Sequence, residues 1–156
     1  MPAVLFNISL VRWGRRTIER MNAAGKDDVD TWSNYWLRTY KDLGGQSDSS
    51  GSKECPKRAA YGLWRLGRIS NSGKTFQNWT VERINEELGK NAAYAVLALD
   101  LLERKRNEKD TEGDWSKAEL WAKVQELYQK KLGEPPAQSE QGALKIALGL
   151  FERQRE

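Results

Sequence analysis

Apolar side chains recur along this chain at the spacing of an α-helix, and the segments between them begin and end with helix-capping residues. The clearest run is 28–43, where Val29, Trp32, Trp36, Tyr40 and Leu43 share one face. Asp27 or Asp28 precedes it as an N-cap with the right charge for the helix dipole, and Gly44-Gly45 stops it. Residues 4–22 carry two apolar rows, Val4, Ile8, Val11 and Ile18 beside Phe6, Leu10, Trp13 and Met21. Together they predict a helix with a broad buried arc, ending at Asn22-Ala-Ala-Gly25. Cys55-Pro56 predicts the next start, with proline at the first helical position. Ala59, Ala60, Leu63, Trp64 and Leu66 pack that helix, Gly62 permits close approach to a neighbour, and Gly67 ends it.

Between the first pair of helices and the third, GGQSDSSGSK at 44–53 reads as a flexible Gly/Ser loop. Residues 68–79 lose the helical period, and Asn71-Ser72-Gly73 is turn chemistry, so a small β-hairpin or an irregular loop fits. Thr80 caps a short helix closed by Gly89, and Asn91 caps a run, AAYAVLALDLLERKR, that is apolar nearly all round except for Asp100. That pattern predicts a central buried helix. Ser116 and Glu119 form an S-x-x-E capping box, with Trp115 and Leu120 at the two positions of a hydrophobic staple. The helix continues through Trp121, Val124, Leu127, Tyr128 and Leu132 to Gly133. A last helix over 140–154 packs through Leu144, Ala147, Leu148 and Phe151. The expected fold is all-α: one domain over 1–156, a bundle of six or seven helices, with room for one small β-hairpin near residues 68–77.

Composition narrows the chemistry. The 156 residues include one cysteine and no histidine. An internal disulfide, the usual Cys/His zinc site and Ser-His-Asp or Cys-His catalysis are all excluded. No metal or other cofactor is expected. No apolar run reaches the roughly 20 residues of a membrane span. The opening MPAVLFNISLVRWGRR has its arginines after the apolar stretch, the reverse of an export signal, so a cytoplasmic protein is expected. Net charge is +4 and unevenly placed: residues 1–91 hold 15 Lys and Arg against 10 Asp and Glu, and residues 92–156 hold 11 against 12. Seven tryptophans are available as core anchors or as binding residues.

Residues 67–75, GRISNSGKT, look like a phosphate-binding P-loop and fail its requirements. Five residues separate Gly67 from Gly73 where the motif needs four. KRAAYGLWRL before it is helical where the motif needs a strand. Cys55 lies at a helix start with Lys53, Lys57 and Arg58 close by, surroundings that favour a reactive thiol, and also suit a small residue packed behind Pro56. Asp100, Glu103 and Lys105 echo the acid–acid–lysine set of metal-dependent nucleases, but on a helix Glu103 and Lys105 point about 200° apart. Basic residues mixed with aromatics carry more. Arg12, Arg16 and Arg20 form a helical row, while Arg65, Arg68 and Lys74 surround a loop bearing Phe76 and Trp79. Such a set contacts phosphates and stacks on bases, although Glu82, Glu86 and Glu87 nearby repel phosphate. Exposed Trp and Arg equally suit a protein interface, for which Trp79 is the better candidate because the staple accounts for Trp115.

The stretch Cys55-Pro-Lys-Arg-Ala-Ala-Tyr-Gly-Leu63 resembles the C-P-K-x-A-x-x-G-L helix start of a family of small bacterial proteins of unknown function. The Trp32-containing helix ending at Gly44, the polar linker, Asn91-x-x-Tyr94-Ala95, and Ser139-Glu-Gln before an apolar helix are similar too. The similarity runs from about Val4 to Arg153, and Arg58 stands where the family pattern has glycine. The resemblance implies a compact helical protein of bacterial or phage type and no mechanism. It draws attention to the 55–62 helix start, where Lys57 and Arg58 flank an N-terminus able to take an anion, and to Asn91 and Tyr94 as partner contacts.

These readings converge on a non-enzymatic regulatory protein that docks on a nucleic acid, or a nucleic-acid-associated partner, through its basic N-terminal half. A protein–protein inhibitor or adaptor stands level with it. A small enzyme using Cys55 or carboxylates is the third reading.

Overall fold

The structure is a computed structural model and describes residues 4–5, 8–69, 73–107, 116–138, 144–147 and 149. Two short strands, β1 (Val4–Leu5) and β2 (Ile8–Ser9), pair antiparallel with Leu5 opposite Ile8. Seven helices with defined bounds follow, α1 (Leu10–Ala24), α2 (Val29–Asp42), α3 (Asp48–Gly51), α4 (Glu54–Arg65), α5 (Val81–Leu88), α6 (Lys90–Asn107) and α7 (Lys117–Leu132), and residues 144–147 are helical as well. The chain is an all-α bundle, as the periodicity predicts. No helix is long and apolar enough to cross a membrane among the described residues.

Several boundaries differ from expectation for local reasons. The first helix begins at Leu10 and not at residue 4, because the Ser9 hydroxyl accepts the Arg12 N–H and caps it there. The apolar pattern over 4–8 suits either period, and Ile8 is buried from a strand. The stretch 44–53 folds back on α2: Ser47 caps α3, its N–H donates to the Tyr40 hydroxyl, and Lys41 pairs with Asp48. The fourth helix opens two residues early, at Glu54, which puts Pro56 third in a first turn whose N–H groups lack helical partners. Gly89, at the α6 start, accepts the Ala93 N–H, so Asn91 lies inside the first turn and is not the cap. No strand occurs at 68–77 among the described residues. The loop is held instead by the Gln77 N–H donating to the Leu66 carbonyl. The Trp115 staple and the residues of the last helix beyond 144–147 and 149 lie outside the described residues; 144–147 are helical, and Leu144, Ile146 and Ala147 are buried.

The core has two lobes meeting at α4 and α6. In the first, the indoles of Trp13, Trp36, Trp32 and Trp64 form a continuous stack, with ring centroids 4.2, 5.7 and 5.3 Å apart in that order. Trp13 Nε1 donates to the Trp36 carbonyl and Trp32 Nε1 to the Lys57 carbonyl, so the stack also ties α1, α2 and α4 together. In the second, Tyr94 of α6 packs edge-on against Trp121 and tilts against Tyr128, and the Tyr94 hydroxyl accepts the Ala137 N–H. Every residue from Ala92 to Leu99 is buried, so α6 is the central helix that its apolar sequence predicts. Gly62 lets α4 reach it: a Cβ there would lie 2.5 Å from the Ala92 Cβ.

Candidate anion-binding face

Helix α1 buries Leu10, Trp13, Gly14, Thr17, Ile18 and Met21, which leaves Arg12, Arg15, Arg16 and Glu19 on solvent and Arg20 on the flank facing α2. Arg20 Nη1 donates to the buried Thr39 hydroxyl at 2.8 Å, and Nη2 donates to Asp42 Oδ2 at 2.5 Å. Arg38 lies exposed one turn before Asp42 on α2. The hydrogen bond from Arg20, with the charges of Arg20, Arg38 and Arg16, holds the Asp42 carboxyl below its ordinary range. Arg12, Arg15, Arg16 and Arg38 form no ion pair among the described residues. Local stability does not explain the row. Arg12 sits in a first turn that contains no acid, against the dipole, and repeated cations four residues apart repel. Sequence reasoning missed Arg15 and Arg38. The helical wheel could have found Arg38, which lies opposite the Trp36–Tyr40 stripe.

The other predicted cations are engaged elsewhere in the fold. The Arg68 side chain is 5% exposed; Nη1 pairs with Asp100 Oδ1 at 3.0 Å and Nη2 donates to the Gln77 carbonyl at 3.3 Å. Its guanidinium lies 4.4 Å from the Phe76 ring centroid. Burial pushes the Asp100 carboxyl up, opposed by Arg68. Arg68 is therefore a clasp between the 68–79 loop and α6, which corrects its reading as a free phosphate contact. Lys74 Nζ is 3.6 Å from Asp27 and 4.8 Å from the Trp64 ring, where it covers one end of the indole stack. Lys57, buried, and Arg58 both bind Glu54, whose carboxyl they hold low, so the α4 start carries its own counter-ion. A carboxylate one turn away meets these cations at no cost in loop ordering. Arg65 is half-buried in the last turn of α4, and Cys55 is half-buried in the first.

Among the aromatic candidates, Tyr94 is a core residue and not a partner contact, because the inward face of α6 carries it under Trp121 and Tyr128. Asn91 beside it is half-buried. Trp79 is half-buried with the Arg83 guanidinium 3.8 Å above its ring, and Arg83 in turn binds Glu87. Phe76 remains 59% exposed. A cleft of about 370 Å³ opens where Ile8 meets Tyr40, Leu43 and the Gly44–Ser50 stretch. Its polar groups largely satisfy one another: Gln46 Nε2 donates to the Gly44 carbonyl, and the Tyr40 hydroxyl accepts the Ser47 N–H. Among the described residues no group of three or more Cys, Asp or Glu gathers to hold a metal ion.

A family model described as a family of unknown function (DUF6979) matches residues 10–154. The chain belongs to that family. No curated protein and no solved structure matches it. The match to DUF6979 begins at the first residue of α1, so it takes in the arginine row and Arg38 while leaving the two strands outside. DUF6979 membership carries no activity with it.

Proposed function

We propose that this is a cytoplasmic, non-enzymatic regulatory protein that docks on nucleic acid through the arginines of α1 and α2. The observation that carries the reading is the row Arg12–Arg16–Arg20 with Arg15 and Arg38 beside it, mostly exposed and set against the preferences of its own helix. Guanidinium groups bind phosphates bidentately, and neutralising several phosphates is what gives such surfaces their affinity. The acids that discourage phosphate, Glu82, Glu86 and Glu87, are exposed on α5, which packs on α4, α6 and α7, whereas α1 packs on α2. The docking surface is thus the α1/α2 face and not the 65–79 loop, where Arg68 and Lys74 are internally paired.

Fluorescence-anisotropy titration with labelled single- and double-stranded oligonucleotides, across a salt series, tests this. Binding that weakens steeply with salt is expected, and each of Arg12→Ala and Arg16→Ala should weaken it and lower the log–log salt slope by about 1. Absence of binding at low salt sinks the reading. The protein-partner alternative rests on exposed Phe76; binding to a protein that depends on Phe76→Ala and changes little with salt would favour it.

A further inference from the structure

Arg20 and Asp42 form the most built part of this face. A guanidinium has five N–H donors. Arg20 uses one on the Thr39 hydroxyl and one on Asp42, and the remaining three have no partner among the described residues. Thr39 is fully buried, so its bond holds the Arg20 head in place whatever becomes of the Asp42 bond. Asp42 has a side chain 46% exposed, free to turn into water. Arg16 stands one turn before Arg20 on α1, and Arg38 one turn before Asp42 on α2. Only Arg20 bonds the Asp42 carboxylate, the charges of Arg38 and Arg16 act on it as well, and Glu19, the one acid of α1, forms no ion pair among the described residues, so the group carries more positive than negative charge.

We infer that Arg16, Arg20 and Arg38 form a phosphate-binding site in which the Asp42 carboxylate is the resting occupant, displaced when a phosphate arrives. The inference rests on the nucleic-acid reading for its source of phosphate and assigns Asp42 a role within it. A phosphate presents oxygens to several guanidinium forks at once, which one carboxylate bonded to Arg20 does not. The carboxylate occupies the Arg20 guanidinium in the free protein and sets a threshold that weak anions do not pass. Two chemical sources fit the same site, a phosphodiester of a nucleic acid and free phosphate.

Asp42→Asn separates the possibilities, since it keeps the shape and an acceptor for Arg20 while removing the charge. Anisotropy with a labelled single-stranded oligonucleotide should show affinity rising by roughly three- to tenfold. Adding Arg20→Ala to Asp42→Asn should abolish the gain, with circular dichroism checking that both variants fold. A parallel titration with inorganic phosphate, read by thermal shift, reports the free anion. Oligonucleotide affinity unchanged or weakened by Asp42→Asn, where the wild type binds, overturns the inference while leaving the nucleic-acid reading standing. Absence of oligonucleotide binding by every variant, with inorganic phosphate binding gained by Asp42→Asn, overturns the nucleic-acid reading and supports the site. Absence of both overturns both.

Discussion

Arg12 and Arg68 carry the same guanidinium and meet opposite surroundings. Arg12 is exposed on α1 with no ion pair among the described residues, whereas Arg68 lies under Phe76 and reaches Asp100 and the Gln77 carbonyl. Removing Arg68 leaves a partly buried carboxylate without its counter-ion and frees the loop from α6. Arg68→Ala should therefore destabilise the fold by about 1–3 kcal/mol. Arg12→Ala should stay within about 0.5 kcal/mol of the wild type, because a surface cation opposing the dipole supports nothing. Urea unfolding followed by tryptophan fluorescence measures both. Equal effects from the two substitutions would contradict the assignment of Arg68 to structure and Arg12 to binding.

At the scale of single helices, the starts depend on short side chains and charge. Asp28 accepts the Thr31 N–H at the start of α2, and Ser116 and Glu119 exchange hydrogen bonds at the start of α7. These backbone bonds hold the Asp28 and Glu119 carboxyls below their ordinary values. The stability that the two carboxylates supply is complete above the ordinary carboxylate value of about 4 and is lost as pH falls through their depressed values. Asp100 has the opposite sign. Burial raises its carboxyl, so acidification relieves a charge that the folded state disfavours. Thermal melts across the acid range should show stability falling, and the combined variant Asp28→Asn with Glu119→Gln should flatten that fall, since both replacements can still cap. An unchanged acid limb would mean that the caps do not carry the titration. The capping box was legible in the sequence because Ser116 and Glu119 are three residues apart and act on each other's backbone. The α1 start was not, because Val4 and Ile8 continue the helical register into a segment that pairs as strands.

For the molecule as a whole, the joint between α4 and α6 decides whether the two aromatic lobes behave as one body. Gly62 and Ala92 bring the helices within the reach of a single methyl group. Gly62→Ala should cost about 1–3 kcal/mol by overpacking, and Ala92→Gly in the same chain should restore much of it. With the joint intact, the indole stack read by near-ultraviolet circular dichroism and the helices read in the far ultraviolet should unfold in coincident transitions. Separate transitions would show that the lobes are independently stable. The family match over 10–154 spans both lobes. The amino-acid order was enough for the helical class, most helix ends, the burial of α6 and the close approach at Gly62, because these depend on periodicity and on neighbours three or four residues away. Which arginines stay free was decided only in three dimensions. Arg20 finds Thr39 and Asp42 across α1 and α2, Arg68 finds Asp100 thirty-two residues on, and Tyr94 turns inward onto Ala137. A cation's partner is set by distance in space, and no local pattern encodes a contact between helices that the folded core alone brings together.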